Sequence, residues 1–380
     1  MKGQTGLEIR LDTGAQWSMP LTGEAFTHRN QTAPTQDSDA TGRWIASDES
    51  GWDGEQLWGR GRYLVVASVA IDDAEAATFV DALREQAGIR QAPELKFARF
   101  KDRANRREAL RLLWGPGGAL HERCAVYVVD KEYAVAAKVI DMLLEERAHA
   151  MGIDLYAGGL ARELARTLAL KGQRTAQGEN LSALMAAFVA LASHRGRRRQ
   201  QEAADVFFHE LDQAWATTDH PGVKEILAAL RGTRSQVDTL HLPEDEEPFP
   251  AMEMLVPSVA QIARLWAARL GPVSVLTDEQ TALTDSALGT VHRLVRVAWG
   301  PTPSATVVAA PVRSLLRGSS ADHPSIQLAD LLAGATAAVA GRHAGAPSAA
   351  GDDLWPVVVP LLEESSLLPY DTPEGLAERA

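Results

Sequence analysis

The segment VSVLTD, residues 273–278, constrains the fold more than any other part of the chain. It is short, almost wholly apolar, rich in β-branched residues, and it ends on an acid. A strand with no apolar–polar alternation belongs inside a sheet covered on both faces. Two other apolar runs, RYLVVASVAI (62–71) and RCAVYVVD (123–130), also read as strands, as does the stretch at 43–48. The strands at 43–48 and 62–71 are joined by the Gly/Trp-rich GWDGEQLWGRG and are expected to pair as an antiparallel ribbon. A further strand is expected in VHRLVRVAW (291–299).

Between these runs the apolar period changes to that of helices. Helices are expected at 74–87, closed by Gly88, and at 103–114, closed by GPGG. From 131 to about 235 nearly everything has helical period. SVAQIARLWAARLG makes a helix with Ser258 as its N-cap, and PSIQLADLLAGATAAVAG (324–341) makes another. No repeat of fixed period is present. The expected class is α/β, a sheet with a large helical insertion. The expected organisation is a polar arm (1–40), a core from 41–130 and 255–345, a helical insertion (131–240) and a tail (346–380). That tail holds a flexible turn, AGAPSAAGDD, and a short apolar segment around WPVVVPLLEE.

A chain of 380 residues can bury one large core or two ordinary ones. No apolar run reaches the length of a membrane span, and the start lacks the layout of a signal peptide. The single cysteine, Cys124, lies in a strand-like run with nothing nearby to stabilise a thiolate, so it reads as a buried structural thiol. A cytoplasmic protein without disulfides and without a membrane is expected. The net charge of −12 excludes one that coats nucleic acid by bulk electrostatics. Basic charge is nevertheless concentrated in KFARFKDRANRR (96–107), with Lys96, Arg99, Lys101 and Arg103, and in HRGRRRQQ (194–201), with Arg197, Arg198 and Arg199. Such patches can guide a phosphate backbone into one groove. The stretch LPEDEEPFP (242–250) is an acidic loop.

The motif search narrows the chemistry. There is no Walker loop, Gly-x-Ser-x-Gly elbow or His-Glu-x-x-His, and GRGRYL enters a strand rather than a helix. FFHELDQAW offers His209 and Glu210 without a second histidine one turn on, and reads as a helix surface. What remains is carboxylates in apolar settings. Asp48 and Asp278 end apolar strands, Asp330 stands in a helix apolar almost all round, and Glu94 precedes the basic stretch. Gln327, Asp330 and Gly334 share one face of that helix, with Gly334 leaving room for close approach. A buried carboxylate costs several kcal/mol unless a cation or donor meets it. Taken singly, each acid has an ordinary explanation as a turn, cap or surface residue. Together they form a hard-oxygen set without histidine or cysteine, which selects Mg²⁺ or Mn²⁺ over zinc.

SDESG after the first strand, YLVVASVAI, ELKF, the strand ending in Asp278 and SIQLADLLAG also resemble the domain-of-unknown-function family 3800. That family is similar in fold to the RNase H-like superfamily. The resemblance spans about residues 43–341, and DESG with SIQLADLLAG is its specific part. It implies a mixed sheet flanked by helices and a divalent-metal site, with Asp48, Glu94, Asp278 and Asp330 as ligands. Glu49 and Gln327 match the motifs as supporting residues. Asp130, which also ends a strand, is an alternative to Asp278. The expected activity is metal-dependent hydrolysis of a phosphodiester in RNA or DNA, with Lys96 neutralising charge on the scissile phosphate and Arg99 and Lys101 near the substrate. Two other readings are a binding or assembly module that takes a protein partner on the helical insertion, and a hydrolase of a small phosphorylated ligand.

Overall fold

The computed structural model describes residues 43–54, 57–58, 61–172, 178–193, 197–237, 252–296 and 312–376. The strands are β1 (Arg43–Ser50), β2 (Tyr63–Val69), β3 (Cys124–Asp130), β4 (Val273–Asp278) and β5 (Val312–Gly318). Around them lie α1 (Asp73–Ala87), α2 (Ala104–Trp114), α3 (Lys131–Ala150), α4 (Leu160–Lys171), α5 (Gly178–Ser193) and α6 (Arg197–Thr217). The chain continues with α7 (Pro221–Arg231), α8 (Arg234–Val237), α9 (Leu255–Leu270), α10 (Asp285–Arg296), α11 (Pro324–His343) and α12 (Ala349–Val358). The fold is α/β, a five-stranded mixed sheet of order β3-β2-β1-β4-β5.

β2 runs antiparallel to β1 and β3, as the ribbon expectation requires, whereas β1, β4 and β5 are parallel. The carboxyl ends of β1, β4 and β5 therefore lie at one edge of the sheet, with Ser47 beside Thr277 and Asp278 beside Gly318. Both faces are covered. One core joins Ile45, Leu64, Val66, Tyr127 and Val275 to α9 and to helices of the 131–237 block. The other joins Val65, Ala67, Val126 and Val128 to α1, α2, α11 and α12. A buried relay pins α9 to the sheet: Trp266 Nε1 donates to Ser68 Oγ at 2.9 Å, which donates to the Ala125 carbonyl at 2.9 Å.

Several expectations change. The stretch from 291 belongs to α10, not a strand. Its buried Leu288, Val291 and Val295 are spaced by three and four, a helical face that outweighs the β-branched composition. Residues 297–299 lie outside the described residues. Ser258 is not an N-cap. It sits inside α9 and donates Oγ to the Met254 carbonyl at 2.6 Å. The helix starts earlier because the Glu253 carboxylate accepts from Leu255 N and because Pro257 in the first turn has no N–H to lose. β5 was not anticipated: VRSLLRG mixes exposed and buried positions, as an edge strand does.

Within AGAPSAAGDD, Ser348 caps α12 by accepting from Gly351 N at 3.1 Å, so half of the expected turn is helix. The segment after α12 lies alongside β3, with bridges Val126–Leu362 and Val129–Leu367. The polar arm at 1–40, the acidic loop at 242–250 and the side chains of Arg197, Arg198 and Arg199 lie outside the described residues. His209 is exposed on α6, as a helix surface should be. No helix among the described residues is long and apolar enough to cross a membrane.

The exit from β1 depends on Gly51, whose φ is +82° and whose absent Cβ would stand 2.2 Å from the Tyr63 carbonyl oxygen. Gly51→Ala should therefore lose roughly 1–3 kcal/mol of stability. A urea midpoint measured for both proteins checks this, and an unchanged midpoint would refute the tight β1 exit.

Candidate functional site

Ala46 of β1 and Leu276 of β4 pack on Ile326 of α11. Because strand side chains alternate, Asp48 and Asp278, two residues further on, point to the same face. Both acids thus leave their strands toward α11. Asp48 is only 4% exposed. α11 contributes Asp330, one turn beyond Ile326. The fourth acid, Glu94, comes from the segment leading into a 3₁₀ turn at Phe97–Arg99. That turn lies directly on α11, since a Cβ on Gly334 would be 2.5 Å from Phe97 Cβ. The close approach expected at Gly334 is therefore present, and Phe97 fills it.

Two side chains tie these segments together. Gln327 accepts from Leu95 N at 3.0 Å and donates to the Ser320 carbonyl at 2.8 Å. Ser320 donates its backbone N–H to Asp278 Oδ1 at 3.1 Å and its hydroxyl to Glu94 Oε2 at 2.8 Å. Lys96 Nζ donates to Ser320 Oγ at 3.2 Å and stands 3.6 Å from Glu94 and 3.5 Å from Asp330. Glu49 accepts a short hydrogen bond from Gln280 in the segment after β4.

Burial and mutual repulsion set the electrostatics. Burial, helped by the charges of Glu49, Asp278 and Asp330, pushes the Asp48 carboxyl up to about 9, against the N–H of Glu49. Burial likewise pushes Glu49 up to about 7, with the Gln280 hydrogen bond opposing it and Asp278 adding to it. Asp330 is raised by burial against the pull of Lys96 and the Phe97 N–H, and its Oδ2 is buried without a hydrogen-bond partner. Lys96 loses solvation, yet Asp330, Glu94, Asp48 and Asp278 together raise its pKa. One ammonium thus pairs with Glu94 and Asp330 and feels the charges of Asp48 and Asp278.

The remaining sequence candidates fall in different places. Arg99, Lys101 and Arg103 are exposed on the turn beside the acids. Arg106 and Arg107 are structural: they hold the Ala87 and Arg99 carbonyls, and Asp353 with the Lys101 carbonyl, respectively. β4 adjoins β1 directly, whereas β2 separates β3 from β1. Asp130 is fully buried, caps α3 by accepting from Glu132 N and Tyr133 N, and pairs with Arg62 at 2.8 Å. Sequence reasoning missed Ser320 and Gln280, because a serine or glutamine in a loop carries no signal until its long-range partners are known. Among the described residues no three acids or histidines are close enough together to form a metal cage as they stand.

Asp48 binds its proton more tightly folded, at about 9, than unfolded, near 3.8. Folding therefore takes up a proton between those values, and stability falls as pH rises through that window. In chelator, the melting temperature of the parent protein should drop from pH 6 to pH 8.5, and that of Asp48→Asn should drop less. Parallel thermal-melt curves for the two proteins would contradict the burial of this acid.

No protein-family model, no curated protein and no solved structure matches the chain.

Proposed function

We propose that this chain is a divalent-metal-dependent phosphodiester hydrolase, a nuclease of RNase H-like type, related to the domain-of-unknown-function family 3800. The observation that supports it most is the crowding of acids at Lys96, whose Nζ stands 3.6 Å from Glu94 and 3.5 Å from Asp330 and also feels the charges of Asp48 and Asp278. An ammonium in that position marks where a cation is favoured. The donor atoms are hard oxygens, and the buried Asp330 Oδ2 has no partner of its own. Donors of this chemistry are those that Mg²⁺ and Mn²⁺ prefer. The mixed sheet flanked by helices is also the architecture that the family resemblance implies.

On this reading Asp48, Glu94, Asp278 and Asp330 hold the metal, which when bound supplies positive charge to the phosphate and acidifies a water. Lys96, 37% exposed, withdraws toward solvent and meets the scissile phosphate. Ser320 and Gln327 keep Glu94 and Asp278 in register while Lys96 moves. The substrate is RNA or DNA, guided by Arg99, Lys101 and Arg103.

A second reading is favoured by one observation. The ammonium already pairs with Glu94 and with Asp330 Oδ1, and among the described residues no three acids form a cage. If Lys96 is the permanent counter-ion, the site is structural and the chain is a binding or assembly module.

Calorimetry with Mn²⁺ separates the two. Asp48→Asn, Asp278→Asn and Asp330→Asn should each weaken binding at least about tenfold and abolish cleavage, while Asp130→Asn should leave affinity unchanged. No Mn²⁺ binding by the parent protein would favour the structural reading. Replacing Arg99, Lys101 and Arg103 by glutamine should weaken nucleic-acid binding and flatten its salt dependence without altering Mn²⁺ affinity, because fewer counter-ions are released. Binding isotherms at several salt concentrations measure this, and a parent slope near zero would rule out a polyanion groove.

A further inference from the structure

The loop between β5 and α11 leads to a second constellation, one that the carboxylate site does not use. His323, the residue before α11, places Nδ1 2.6 Å from Asp73 Oδ2. The other oxygen of Asp73 accepts from Ser325 Oγ at 2.6 Å and from Ser325 N at 3.1 Å. Partial burial works against the Asp73 charge, yet the hydrogen bonds from His323 and Ser325 prevail and hold its carboxyl below the ordinary range. An ionised carboxylate can only accept, so Nδ1 carries the hydrogen and Nε2 is the nitrogen left for chemistry.

The position of that nitrogen follows from Gly318. A Cβ built there would lie 2.4 Å from His323 Cδ2 and 2.6 Å from Nε2, so the imidazole fills the space a side chain would take. Gly318 is the register partner of Asp278 on the adjacent parallel strand. Leu276, which shares the face of Asp278, reaches within 3.2 Å of the same point. Nε2 therefore lies on the face that carries Asp48 and Asp278, at the position on β5 that neighbours Asp278. The ring is 32% exposed, so a ligand over the acids can reach it.

We propose that His323, oriented by Asp73, is the residue that delivers a proton to the leaving oxygen when a phosphodiester is hydrolysed at the carboxylate site. The inference rests on the hydrolytic reading of that site. Water forms the new bond to phosphorus and loses its proton to solvent. The bond from phosphorus to the leaving oxygen breaks, and that oxygen keeps the electron pair and takes the Nε2 proton. Solvent then re-protonates the imidazole. Asp73 holds the ring in this orientation through Nδ1 and stays ionised throughout.

The test compares two phosphodiesters in Mn²⁺. One is an oligonucleotide, drawn from single-stranded and duplex RNA and DNA, whose alkoxide leaving group needs a proton. The other is bis(p-nitrophenyl) phosphate, whose phenolate leaves without one. His323→Asn should slow single-turnover cleavage of the oligonucleotide about 10²–10³-fold and that of the nitrophenyl ester less than about tenfold. Asp73→Asn should slow the oligonucleotide alone by about tenfold or more. Mn²⁺ affinity should match the parent in both variants, which also shows that they fold. Equal slowing of both esters, or of neither, would overturn the role of His323 while leaving the hydrolase reading intact. A parent that cleaves only the nitrophenyl ester would overturn it too, since no leaving group would then need a proton. A parent that cleaves neither ester overturns the hydrolase reading, and this inference with it.

Discussion

A sheet covered on both faces leaves a carboxylate little room except toward the strand ends, and the rest of this structure is arranged around that limit. β1 turns polar from Ser47 onward and β4 ends on Asp278, and both acids lie on the face that packs under α11. Removing such charges from water is costly unless a cation or donor replaces the solvent. The chain meets that demand locally. Lys96 supplies the charge, and the N–H groups of Glu49, Ser320 and Phe97 supply donors to Asp48, Asp278 and Asp330.

The same demand fixes segments that are distant in sequence. Lys96 reaches the acids only because the Phe97–Arg99 turn lies flat on α11, and it lies flat only because position 334 is glycine. Gln327 uses both ends of its amide to join that turn to the loop after β5. Ser320 in that loop then touches Glu94, Lys96 and Asp278. Burying a polar network of this sort is stabilising only when its members are satisfied together, so the turn, the loop and α11 move as a unit or not at all.

Legibility in the sequence followed the same physical line. Four strands and the long helices could be read because burial on both faces writes an unbroken apolar run and helix packing writes a 3.6-residue period. β5 could not, because an edge strand is half solvated and VRSLLRG carries neither pattern cleanly. Residues 291–296 misled because valines favour strands locally, while packing on α9 and β5 decides for a helix. In the site, the acids stood out because they are anomalous in apolar surroundings. Ser320, Gln280 and the Asp73–His323 pair did not, since their roles exist only once residues far apart in the chain are folded together. Whether Asp278 or Asp130 comes nearer Asp48 was likewise a matter of topology: of β3 and β4, only β4 adjoins β1.

Charge accounting gives the acidic centre its chemical character. One ammonium must balance the charges of Asp330, Glu94, Asp48 and Asp278, pairing directly with the first two, so the centre lacks positive charge even with Lys96 in place. Without another cation the deficit is made up by a proton retained on Asp48, whose carboxyl is raised to about 9 by burial and by its acidic neighbours. A divalent cation entering this centre therefore has two occupants to displace, a proton and an ammonium, and its affinity must rise with pH as the proton is given up. A purely structural centre has no such exchange to make, because its proton and its lysine are already the final occupants. The catalytic and structural readings thus differ in which species supplies the missing positive charge, and the buried Asp330 Oδ2, which has no hydrogen-bond partner, is the point at which the two part.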